Sequence, residues 1–153
     1  MNAQRHYAAA LASALLLTAA PAAIAQTTGG SGGGVEGRNV SASTYGAGTI
    51  NQNGGVGVNG GGAAEAVDGS ASTQTDARIN DRRGVLRSTA GARTEDERAT
   101  SRTRVNVNPN QETVRSSTTS RYKERGSAPV RETVRTVTTP DGTETRTKNK
   151  GPK

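Results

Sequence analysis

The side chains that could do chemistry in this chain are few. His6 is the only histidine and there is no cysteine. The usual nucleophile–base pairs and most transition-metal sites therefore lack their parts. Glu95-Asp96-Glu97 is the densest carboxylate cluster, flanked by Arg93 and Arg98. Three carboxylates can hold a hard cation, but the spaced loop of a calcium site is missing. A solvated helix start is the preferred reading, with Thr94 and Glu97 matching a capping box. A hydrolase using carboxylates alone needs a set separation between them, and nothing in the sequence provides one. Gly32 to Gly37 and Gly55 to Gly60 fit G-x-G-x-x-G by letter. A dinucleotide site also needs a strand before and a helix after, and neither is expected. Asn39-Val40-Ser41 is a glycosylation sequon. The chain is expected to be no enzyme and to use no metal or cofactor.

The remaining chemistry is cationic. The net charge is +7. From residue 26 to 75 only Arg38 stands against Glu36, Glu65 and Asp68, whereas residues 76–153 are strongly basic. Arg121, Tyr122, Lys123, Arg125, Arg131, Arg135, Arg146, Lys148, Lys150 and Lys153 form the candidate polyanion-binding set. Spread cations bind polyanions by releasing counterions, with steep salt dependence. Tyr122 could stack on a base, but one tyrosine is a thin platform. The expected partners are anionic envelope polymers or lipid head groups, ahead of nucleic acid.

The elements that must position these residues begin with a targeting segment. Arg5, the apolar stretch Ala8 to Ala20, Pro21 and Ala23-Ile24-Ala25 read as a secretory signal over 1–25. The small residues Ala23 and Ala25 place the cut before Gln26. No cysteine follows for a lipid anchor, and no later stretch is apolar enough to span a membrane. The product is expected in a periplasm or outside the cell, with a bacterial host suspected.

Beyond residue 26, Leu86 is the only leucine, Ile50 and Ile79 the only isoleucines, and Tyr45 and Tyr122 the only aromatics. So few large apolar side chains offset little of the entropy lost on ordering a chain. The expected fold class is therefore mostly intrinsically disordered after a cleaved signal peptide. Residues 26–75 read as a Gly/Ser/Asn-rich low-complexity linker, with a stacked β-solenoid over 40–67 as the rival. Residues 76–104 read as a charged, weakly helical segment, because Ile79 and Leu86 lie seven apart. Residues 105–153 read as a basic Thr/Arg-rich segment with marginal β-hairpins within 102–149. There Glu112-Thr113-Val114-Arg115 recurs as Glu132-Thr133-Val134-Arg135. Thr139-Pro140-Asp141-Gly142 is a turn sequence that sets Thr138 opposite Thr143 and Arg135 opposite Arg146. A turn at Asn108 to Gln111 would set Val105 opposite Val114.

Two functions follow as expectations. One is an exported low-complexity protein that associates electrostatically with anionic envelope or extracellular polymers through its basic half. The alternative is a self-assembling structural or matrix protein, built from β-forming Gly/Asn-rich and Thr/Val/Arg segments. The sequence leaves the oligomeric state open.

Overall fold

The computed structural model describes residues 27–80 and 82–151. They form nine antiparallel strands and one short 3-10 turn: β1 (Thr27–Glu36), β2 (Val40–Ile50), β3 (Val56–Ala66), β4 (Ser70–Asn80), β5 (Arg83–Arg93), β6 (Glu97–Asn108), β7 (Thr113–Glu124), β8 (Val130–Thr139) and β9 (Gly142–Lys150). The order is a plain meander. β1-β2-β3 make a three-stranded sheet and β4 to β9 a six-stranded sheet, each strand pairing with its sequence neighbour. The small sheet lies on the large one, with β2 over β5 and β6, β1 over β7 and β8, and β3 against β4 and β5.

The expectation of a disordered, low-complexity chain is overturned by this continuous pairing, and the electrostatic-tail function built on it goes with it. Within the segment expected to be a linker, or a solenoid over 40–67, the described residues 27–75 are neither. They supply β1, β2, β3 and the start of β4. The helical expectation over 76–104 fails as well, since β4, β5 and the start of β6 occupy it. Ile79 and Leu86 do share a face, but on paired strands, where Ile79 lies opposite Gly84 and Ala77 opposite Leu86. The hairpins within 102–149 are parts of the six-stranded sheet rather than marginal units.

The glycines explain how so thin a core closes. Gly46 and Gly48 face inward on β2. A Cβ on Gly46 would sit 2.7 Å from Val105 Cγ2 and 2.9 Å from Leu86 Cδ2, and one on Gly48 would run into Val107. The backbone of the small sheet thus touches the side chains of the large one, which no larger residue permits. Leu86, Val105, Val107 and Val114 pack with Ile50, and Val56 and Val58 close the side, as one apolar cluster. Val35, Val40, Ala42, Ala90, Ala92 and Ala99 form a second, flanked by Tyr122.

Between the clusters runs a band of buried hydroxyls. Thr103 shares hydrogen bonds with Thr44 (2.8 Å) and Thr118 (2.7 Å). Thr118 bonds to Ser31, and Ser101 to Thr44 and Ser120. Ser101 also donates to the carbonyl of Gly33 at 2.9 Å. Each such bond contributes about 1 kcal/mol net, and the band leaves few groups unpaired, which would cost more. Polar threonine and serine thus fill an interior that aliphatic residues fill elsewhere.

The turns follow local chemistry. Gly54 takes φ +74° in the β2–β3 loop, where Asn51 accepts its N–H. Thr94 and Glu97 close the β5–β6 hairpin: the Glu97 N–H donates to Thr94 Oγ1 at 3.1 Å. The hydrogen bond expected of a helix cap is present, in a β-turn. Thr139 to Gly142 sets Thr138 opposite Thr143 and Arg135 opposite Arg146. Between β6 and β7, the 3-10 turn Pro109–Gln111 and Glu112 at φ 47° lengthen the connection. Val114 therefore faces Val107, and Val105 faces Ser116.

Candidate functional site

Two features of the large sheet stand out: its outer face and its two edges. On the outer face, alternate residues of β4 to β9 line up across the strands. One row reads Asp76, Arg87, Arg104, Ser117, Arg135, Arg146; the next, Gln74, Thr89, Arg102, Thr119, Thr133, Lys148; the next, Ser72, Gly91, Thr100, Arg121, Arg131, Lys150. Arg93, Arg98 and Lys123 follow beyond them. Among the described residues, Asp76 and Glu144 are the only carboxylates on this face. Arg87–Arg104, Arg98–Lys123, Arg121–Arg131 and Arg135–Arg146 are directly opposed like charges. Such pairs are destabilising across strands.

Where β6, β7 and β8 meet the 125–129 loop, the face forms an open groove of ≈ 830 Å³. Arg98, Arg102, Arg121, Lys123, Arg131 and Lys150 line it, together with Thr100 and Thr119. Arg146 pairs with Glu144 at 2.6 Å, but none of the six groove cations has a carboxylate partner among the described residues.

Of the residues expected from sequence, Arg121, Lys123, Arg131, Arg135, Arg146, Lys148 and Lys150 share this face. Tyr122 does not. It points between the sheets, and its hydroxyl donates to Glu97 Oε1 at 2.6 Å. Arg125 sits in the β7–β8 loop, 3.7 Å from Glu95 and 3.6 Å from Asp96. Lys153, and Ala23, Ala25 and Gln26 of the expected signal segment, lie outside the described residues. Arg87, Arg98, Arg102, Arg104 and Arg115 escaped the sequence reading. Their signal was spacing by two, as in Arg98, Arg102 and Arg104 with Thr100, which marks one face of a strand.

Among the described residues, Glu97 is the buried carboxylate that several donors surround. It is 5% exposed and accepts the N–H groups of Arg38 (3.2 Å) and Asn39 (2.8 Å) besides the Tyr122 hydroxyl. Burial pushes its pKa up, but these hydrogen bonds and the Arg38 charge outweigh that and leave it lowered. Burial and the Glu97 carboxylate push the Tyr122 hydroxyl up. Glu132, buried on β8 without such donors, is raised by burial. Glu97 thus clamps the β1–β2 turn of the small sheet to the large sheet. It also splits the acidic run: Glu95 and Asp96 face Arg125, while Glu97 faces inward.

The edges of the large sheet are equally distinctive. β4 and β9 are exposed along their whole length, although β3 of the small sheet borders β4. Ile79 on β4 is 54% exposed.

Among the described residues no His, Cys, Asp and Glu side chains gather in a group that could hold a metal ion. No helix among them is long and apolar enough to cross a membrane. No family model, no curated protein and no solved structure matches the chain.

Proposed function

We propose that this chain is a non-enzymatic structural protein that assembles head to tail, β9 of one copy adding to β4 of the next, in an extracytoplasmic matrix. The observation that carries this reading is the pair of exposed edge strands at opposite sides of one sheet, neither of which has a strand paired to its outer side among the described residues. An open edge offers a row of N–H and C=O groups to another chain. Six strands in a meander leave β9 antiparallel to the β4 of a following copy, so a new copy continues the alternation.

The registers support this heterotypic joint. Extending the rows of the outer face across the joint sets Arg146 opposite the next copy's Asp76 and Glu144 opposite its Arg78. The same register sets Thr143 beside the exposed Ile79 and Thr145 beside Ala77. Both charge pairs are then opposite in sign, which favours pairing across strands. Pairing β9 with β9 instead brings Arg146, Lys148 and Lys150 against one another. A joint between two different surfaces leaves a free surface at each end, so copies keep adding, into a filament unless the rotation closes a ring.

Sedimentation velocity over rising concentration, with electron microscopy of the heaviest fraction, tests the reading. Growth past the dimer is expected for the wild type, with loss of growth in Asp76→Arg and in Arg146→Asp, and recovery when the two are combined. A persistent monomer, or growth that stops at a dimer, refutes it.

A further inference from the structure

Beyond assembly, we infer that the groove over β6, β7 and β8 is a binding site for a linear polymer of sugars bearing repeated carboxylates. Five of its six cations, Arg98, Lys123, Arg121, Arg131 and Lys150, lie opposite another cation across strands, and with no carboxylate partner among the described residues they repel one another in the free protein. Arg121, Arg131 and Lys150 stand in a single row, with about 4.8 Å between neighbouring strands. Arg98 and Lys123 oppose each other in the next row, about 6.6 Å further along the strands. A chain of negative groups laid across β7, β8 and β9 meets a cation on each strand and relieves the repulsion.

The lining chooses among polyanions. Arginine forks match planar carboxylates with two parallel hydrogen bonds, and Arg98, Arg102, Arg121 and Arg131 supply four. Thr100 and Thr119 stand between them, short hydroxyls suited to the hydroxyls of a sugar. Among the described residues no aromatic side chain lines the groove: Tyr122 is turned inward to Glu97 and Tyr45 belongs to the small sheet. Single-stranded nucleic acid binding relies on such rings to stack bases. Ala128 and Pro129 are the only apolar residues at the rim, too little to enter a bilayer. The site is a face of an ordered sheet, and Arg98 and Arg102 of β6 form one flank of it.

The test is titration with polygalacturonate fragments, at a protein concentration where sedimentation shows only monomer, so that assembly does not enter. Binding that weakens steeply with salt is expected. The variant Arg121→Thr/Arg131→Thr/Lys150→Thr is expected to weaken it at least about tenfold. A charge-matched variant at the far corner, Arg78→Thr/Arg82→Thr/Arg83→Thr, is expected to stay within about threefold. Melting of both variants shows that they fold. Absence of binding, equal weakening by both variants, or tighter binding to single-stranded DNA or to phosphatidylglycerol vesicles overturns the proposal.

Discussion

Replacing Gly46 by alanine puts a methyl group where the two sheets touch. The new carbon would lie 2.7 Å from Val105 Cγ2, 2.9 Å from Leu86 Cδ2 and 3.0 Å from Thr103 Cγ2. Carbon pairs rest at about 3.5–4.0 Å, so all three neighbours must retreat by roughly 1 Å. None has room, since Val105 is 0% exposed, Leu86 1% and Thr103 2%. Overpacking of a filled interior costs about 1–3 kcal/mol, and three simultaneous clashes place Gly46→Ala at the upper end, about 3 kcal/mol. Gly91 gives the matched control. A Cβ there would meet nothing closer than 3.9 Å, so Gly91→Ala only removes freedom from the unfolded chain and stabilises by about 0.4–1 kcal/mol. Urea unfolding followed by circular dichroism is the assay. The midpoint should fall for Gly46→Ala and rise for Gly91→Ala. Equal tolerance of both would refute the close approach of the sheets, and an unfolding curve without a transition would refute the fold.

Other perturbations separate the buried polar groups. Thr103→Val removes the hydroxyl shared by Thr44 and Thr118 and should cost about 1–3 kcal/mol, read from the same urea midpoint. Ser116→Ala should be neutral or slightly stabilising, because the buried Ser116 Oγ has no hydrogen-bond partner. Glu97 and Glu132 should respond oppositely to pH. Glu97 is lowered from its ordinary 4.5, so its stabilisation is complete above that value and is lost as pH falls through the folded-state pKa. Glu97→Gln should therefore destabilise at pH 7, by roughly 2–3 kcal/mol for the charge-assisted hydrogen bonds lost, with the difference shrinking in acid. Glu132 is raised, so its contribution is present below 4.5 and lost as pH rises through the folded-state pKa. Glu132→Gln should stabilise at pH 7 and change little at pH 3. Thermal melts across that range check both signs.

Part of this architecture is legible in the sequence. Thr139-Pro140-Asp141-Gly142 names its turn, and the turn alone dictates Arg135 opposite Arg146. Thr94 and Glu97 announce a side-chain-to-backbone bond, though such a bond serves a hairpin as readily as a helix. Counting large apolar residues misled, because it treats glycine as absent packing. At Gly46 and Gly48 the missing side chain is the packing: it admits Val105 and Val107. The same count overlooks threonine and serine, whose hydroxyls satisfy one another only once distant strands meet, as Thr44 meets Thr103. The twenty-residue recurrence of Glu-Thr-Val-Arg was a weaker guide. Val114 and Val134 both face inward, but Val114 pairs with Thr138 and Val134 with Thr118, so the two copies hold different places in the sheet. The basic face was half visible. Its β7 to β9 members stood out as charge clusters, whereas Arg98, Arg102 and Arg104 needed a strand period that the helical reading of 76–104 concealed.

The hydroxyl band has a calorimetric consequence. Heat capacity rises on unfolding because apolar surface meets water, and exposure of polar surface lowers it. An interior in which Ser31, Thr44, Ser101, Thr103, Thr118 and Ser120 occupy the middle releases little hydrocarbon when it opens. The heat-capacity increment per residue should then fall below the usual ~12–15 cal/mol/K, and the dependence of stability on temperature should flatten. Such a sheet gives up little of its stability on cooling, because little of that stability comes from the hydrophobic force that cold weakens.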